Sequence, residues 1–71
     1  MMLGLYSRVR IVSDRFADDG APRGFIGYII EVYPDNKFEV EVSNDQGTSI
    51  AQFVASADEL ESVSEGRDDK S

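Results

Sequence analysis

The chain contains no cysteine and no histidine. Without cysteine there is no disulfide, no thiolate nucleophile and no Cys-based zinc site, which fits a reducing compartment. Without histidine the usual near-neutral general base and the commonest transition-metal ligand are both missing. An enzyme would have to work with carboxylates, tyrosines, hydroxyls or Lys37, so a non-enzymatic protein with no catalytic residue, no metal and no cofactor is expected. There is no tryptophan either, and only two prolines. Small barrels that grip polyproline segments use aromatic clusters beside their first loop, and "DRFADDGAPRG" offers no such cluster. No apolar run approaches the length of a bilayer span. "MMLGLYSRVR" is too short and too polar after Leu5 for a signal peptide. The expected location is cytoplasmic, with no membrane partner.

Positive charge is also scarce. The chain carries 7 basic residues against 14 acidic ones, a formal net charge of −7. Up to Val63 the count is 5 against 11, or −6. Phosphate backbones repel such a surface, so direct nucleic-acid binding is not expected. An acidic surface speeds capture of a basic protein partner. It also keeps a small domain soluble, and composition alone does not separate the two roles.

What is present is a β pattern. With 71 residues the chain has room for one domain and one small core. "LYSRVRIVS" alternates, with Leu5, Val9 and Ile11 on one parity and Arg8 and Arg10 on the other, as in a half-buried strand. "DRFADDGAPRG" has no period and reads as a long loop, with Phe16 tucked toward the core edge and Asp18 and Asp19 near the tip. It lacks the spacing of a calcium loop. "FIGYIIEVY" is apolar on both parities, which suggests a central, curved strand, and Gly27 within it suggests a close backbone approach. In "YPDNK", Asp35 and Asn36 tolerate the left-handed backbone a turn needs. "KFEVEV" alternates strictly, with Phe38, Val40 and Val42 inward. "SNDQG" is a second turn around Gly47, and "TSIAQFV" is a fourth strand. Ser56 and Glu59 have capping-box spacing, so a single helical or 3₁₀ turn precedes a short last strand carrying Leu60 and Val63. "SEGRDDKS" has no apolar residue and is expected to be a disordered tail.

These elements predict an all-β fold, a small SH3-like barrel of about five antiparallel strands over residues 1–63, followed by a tail over 64–71. Closure removes the sticky edges an open sheet would expose. The expected core is Val9, Ile11, Ile26, Ile30, Val32, Phe38, Val40, Val42, Ile50, Phe53, Leu60 and Val63.

The functional candidates lie outside that core. Glu31, Glu39 and Glu41 are expected to project together from the central hairpin, because facing residues of paired strands lie about 5 Å apart. They form a negative patch for a cationic partner unless Arg8, Arg10 or Lys37 neutralise it. Fully solvated carboxylates have little cause for shifted pKa values, so hydrolysis by this group is not expected. The candidate partner-binding residues are Asp18, Asp19, Glu31, Glu39, Glu41 and Asp45 for charge, with Tyr28 and Tyr33 as aromatic anchors. "RGFIGYIIEV" also resembles the glycine-led hairpin entry of ribosomal and transcription-factor barrels, but those bring basic loops to RNA.

The run "VRIVSDRF…GFIGYIIEVYPDNKFEVEVSNDQGTSIAQFVASADELESV" is similar to a family of small bacterial domains of unknown function. Members of that family show a "V-R-L" first strand, then "G-x-x-G-T/Y-V/I-V-E-V-Y" and "Y/F-E-V-E-F/V", a "D-x-x-G-x-T" turn and a closing "L-x-x-x-D/E-L-E-x-V". The loop "ADDGAPRG" departs from the shorter versions common there. The genes of such proteins often lie beside toxin genes. The resemblance therefore implies an immunity protein that binds and neutralises a cognate, basic toxin domain. Exposed strand edges would permit self-pairing, so a monomer or weak dimer is expected. The resemblance transfers no catalytic residue. The alternative is a structural accessory or assembly domain of a larger enzyme complex.

Overall fold

A computed structural model describes residues 3–63. The expected tail at 64–71 lies outside the described residues. Alternation at Arg8–Ile11 forms β1, with Val9 and Ile11 buried and the two arginines on the opposite face. The strand starts later than the pattern from Leu5 implies. Tyr6 has a φ of 68°, so extended chain cannot pass through it, and Leu5 is exposed rather than inward. The Tyr6 N–H nevertheless donates to the Ile29 carbonyl, and the Ile29 N–H to Ser7.

The remaining strands are β2 (Ile26–Tyr33), β3 (Lys37–Ser43), β4 (Ser49–Ser56) and β5 (Leu60–Ser62). They make one antiparallel sheet in the order β4-β3-β2-β1-β5. Asp35 and Asn36 both take positive φ in the β2–β3 turn, as their side chains permit. In the β3–β4 turn the Asn44 Oδ1 accepts from the N–H groups of Gln46 and Thr48. A 3₁₀ turn at Ala57–Glu59 joins β4 to β5, and the Ser56–Glu59 capping box is formed.

The first loop does more than connect. It carries an unexpected 3₁₀ turn at Ala17–Asp19, and Phe16 is buried. The Phe16 ring stacks on Phe53 of β4, centroids 3.9 Å apart. The Arg15 guanidinium donates both to the Val54 carbonyl of β4 and to Glu59 beside β5. The loop therefore spans the two outer strands of the sheet and completes a small SH3-like barrel. It also engages the Val54 carbonyl on the edge of β4, a group that would otherwise invite pairing with another chain.

The core differs from the expected one on two strands. On β2 the buried residues are Gly27 and Ile29, not Ile26, Ile30 and Val32. Both parities of β2 are apolar, so its own pattern does not choose a face. The choice comes from register: Gly27 pairs with Val42 and Ile29 with Val40, and directly paired residues share a face. A bulge then leaves Ile30 without a partner before Glu31 pairs with Glu39, which swaps the parity beyond it. Val32 shares a face with Phe38 but sits near the sheet's end, 43% exposed. On β4, Ala51, Phe53 and Ala55 oppose Val42, Val40 and Phe38. Ile50 is thereby turned out, and the small alanines fit beside bulky β3 neighbours. Phe53 and Val63 are half-buried rather than fully enclosed.

Candidate functional site

The outer face of the β2–β3–β4 sheet is built by the residues that register leaves over. Tyr28 lies between Arg8 on β1 and Glu41 on β3, and Glu41 pairs with Gln52 on β4. The next row is Glu31, Glu39 and Val54. Tyr33 pairs with Lys37 at the hairpin end. Five of the eight candidate residues, Tyr28, Glu31, Tyr33, Glu39 and Glu41, thus occupy one face. Asp18 and Asp19 do not join them; they stand on the 3₁₀ turn of the first loop. Asp45 is in the β3–β4 turn.

The three glutamates are not equivalent. Glu39 accepts hydrogen bonds from the Tyr33 hydroxyl and from the Gln52 amide. The Tyr33 bond, then the Gln52 bond, hold its carboxyl below the usual carboxylate range. The same contact with Glu39 pushes the Tyr33 phenol up. Glu39 is therefore a fixed member of the face, and Tyr33 is its partner rather than a free anchor. Glu31 stands directly opposite Glu39, a like-charge pairing that costs stability. Among the described residues no ion pair is formed by Glu31 or Glu41. The neutralisation by Arg10 that the strand pattern allows is not realised, because Arg10 pairs with Glu61 at 2.8 Å. Tyr28 is exposed. The face thus presents two available carboxylates beside an aromatic ring, flanked by Gln52 and Val54. Gln52 carries no signal in the sequence; only its place opposite Glu41 brings it in.

A second polar assembly holds the first loop. Glu59 accepts from the Arg15 Nε and Nη2, both at 2.7 Å, from the Ser13 hydroxyl, and from the Ser56 N–H and hydroxyl. The Arg15 guanidinium also lies 4.4 Å over the Phe16 ring. The Arg15 hydrogen bonds first, and those of Ser56 and Ser13 after them, draw the Glu59 carboxyl down to about 2. The only trace of this clasp in the sequence is the Ser56–Glu59 spacing; Arg15 and Ser13 arrive from more than 40 residues away.

The clasp makes a pH prediction. A carboxyl with a lowered folded pKa contributes stability that is present above its unfolded value of 4.5 and lost as pH falls toward about 2. The Glu59 side chain is 15% exposed, so part of the shift is screened, and about 1–2 kcal/mol is expected from it. Glu59→Gln should be less stable than the parent by that amount at pH 7, and the two should converge near pH 2. Urea melts across this range measure it; a gap independent of pH would contradict the clasp.

No group of three or more carboxylates is placed to hold a metal ion among the described residues. No helix among them is long and apolar enough to cross a membrane. No curated protein and no solved structure matches the chain. A family model, described as a domain of unknown function, matches residues 5–62. With the strands, the hairpin and the first loop all inside that match, the chain belongs to the DUF4926 family.

Proposed function

We propose that this domain acts by binding a protein: an immunity protein that docks the outer face of β2 and β3 on a basic toxin domain in the cytoplasm and neutralises it. The observation that carries the reading is the exposed Tyr28 with Glu31 and Glu41, carboxylates that no ion pair engages among the described residues. A partner's arginine or lysine would pair with these carboxylates and lie against the ring. The surrounding negative charge speeds encounter. The first family resemblance, to domains encoded beside toxins, adds support for the toxin as partner. Glu39, held by Tyr33 and Gln52, shapes the face, and the charge that a partner meets is that of Glu31 and Glu41.

The tagged protein should co-purify from its native host with a basic toxin in stoichiometric amount. Recovery of a metabolic enzyme complex instead would make the domain an accessory subunit and end the immunity reading. With the recovered partner, Glu31→Lys combined with Glu41→Lys should slow association about tenfold at low salt, an effect that shrinks as salt screens it. Unchanged association at low salt would reject this face. Loss of fold does not confound the test. Removing the Glu31–Glu39 opposition is expected to leave stability unchanged or raise it by up to about 0.5 kcal/mol.

A further inference from the structure

At the end of the sheet away from the β2–β3 turn lies an open groove of about 600 Å³, lined among others by Phe25, Ile26, Val42, Ile50 and Asp45. Local backbone geometry creates it. Gly24, with a φ of 99°, ends the first loop and leaves Phe25 just ahead of β2. On the other side the β3–β4 register shifts after Val42, so that Ser43 pairs with Ser49 and Ile50 is left between ladder pairs. Phe25 and Ile50 are 40% and 41% exposed, two large apolar side chains around one depression. A space of this size is in the range of sites that accept a bulky group.

We infer that this groove is a second contact site, taking a large apolar side chain carried on a basic segment of a partner protein. The charge around it selects that occupant. No lysine or arginine lines the groove, and its charged lining residue is Asp45. Asp45 forms no ion pair among the described residues. One acid, Asp45, therefore stands at the rim of a groove whose other lining residues are uncharged. An anionic ligand would meet repulsion without a cation to hold it. A second copy docked groove to groove would set Asp45 against Asp45, because a two-fold contact opposes identical patches. The segment 64–71 has no apolar residue to insert. This site is separate from the Glu31–Glu41 face and stands whether or not that face is used.

The test is an amide-shift titration of the ¹⁵N-labelled full chain with three pentapeptides. One has a central phenylalanine flanked by two lysines on each side. The second has glutamates in place of the lysines, and the third has alanine in place of the phenylalanine. The basic phenylalanine peptide should shift the amides of Phe25, Ile26, Asp45 and Ile50 saturably. The other two should bind at least about fivefold more weakly, as should the first peptide to Ile50→Thr and to Asp45→Lys chains. Both substitutions fall on exposed side chains, and a dispersed spectrum confirms the fold. Equal binding of all three peptides, or no saturable binding of any, overturns the inference. Shifts confined to Glu31, Glu39 and Glu41, with Ile50→Thr binding unaltered, overturn it too while leaving the outer face in place.

Discussion

Ile29→Ala is expected to lower stability by about 3 kcal/mol, whereas Val32→Ala, three residues along the same strand, costs less than about 1 kcal/mol. Ile29 is fully buried opposite Val40, and Val32 is 43% exposed. Truncating Ile29 removes its transfer free energy and leaves a cavity among Val9, Val40 and their neighbours in the core, which a close-packed interior cannot wholly refill. Truncating Val32 removes contacts that water already partly replaces. For a domain of this size total stability is about 4–10 kcal/mol, so the first loss is a large fraction. It should appear as a fall in melting temperature of about 12 °C or more. Thermal melts of both variants decide the matter. Equal losses would mean that β2 does not bury Ile29 in preference to Val32 and that its register against β3 differs.

Gly27→Ala should be comparably damaging, by about 2–3 kcal/mol, and Gly27→Val should prevent folding. Two effects oppose one another here. Alanine restricts the unfolded chain and would stabilise by about 0.4–1 kcal/mol if the native site accepted it. The site does not. A Cβ on Gly27 would lie 2.8 Å from the Glu41 carbonyl oxygen, 2.9 Å from the Val40 Cγ1 and 3.0 Å from the Val42 Cγ2. One of these is backbone held in the β2–β3 ladder, and the other two belong to buried β-branched side chains, which have little rotamer freedom. Overpacking therefore outweighs the entropic gain. Chemical denaturation of Gly27→Ala measures the balance, and a variant as stable as the parent would show that the strands do not approach this closely.

Both predictions concern β2, and both bear on the binding face. Gly27 and Ile29 hold the inner side of the strand in register, and the bulge that follows determines which β2 side chains emerge on the outside. Without that extra residue, Glu31 would share the parity of Ile29 and point into the core. The acidic face of the hairpin is in this sense a product of the irregularity.

By itself the sequence determined the class of the protein and most of its element boundaries. Strict alternation in "KFEVEV" placed Phe38, Val40 and Val42 inside and Glu39 and Glu41 outside, because a strand's side chains alternate whatever its neighbours are. The turn residues Asp35, Asn36 and Gly47 announced positive φ, since their allowed backbone is a local property. The Ser56–Glu59 box was legible for the same reason. Tertiary structure decided everything that depended on comparing two strands. β2 and β4 are apolar on both parities, so their inner faces follow from register against β3, and Ile29, Ala51 and Ala55 entered the core in place of Ile30, Val32 and Ile50. The distinction among the three glutamates also needed the fold. Tyr33 and Gln52 reach Glu39 only across paired strands, and Arg15 reaches Glu59 only when the first loop crosses the sheet. Periodicity reports which side chains share a face of one strand; which of two apolar faces meets the core, and which charge finds a partner, depends on contacts between residues far apart in the chain.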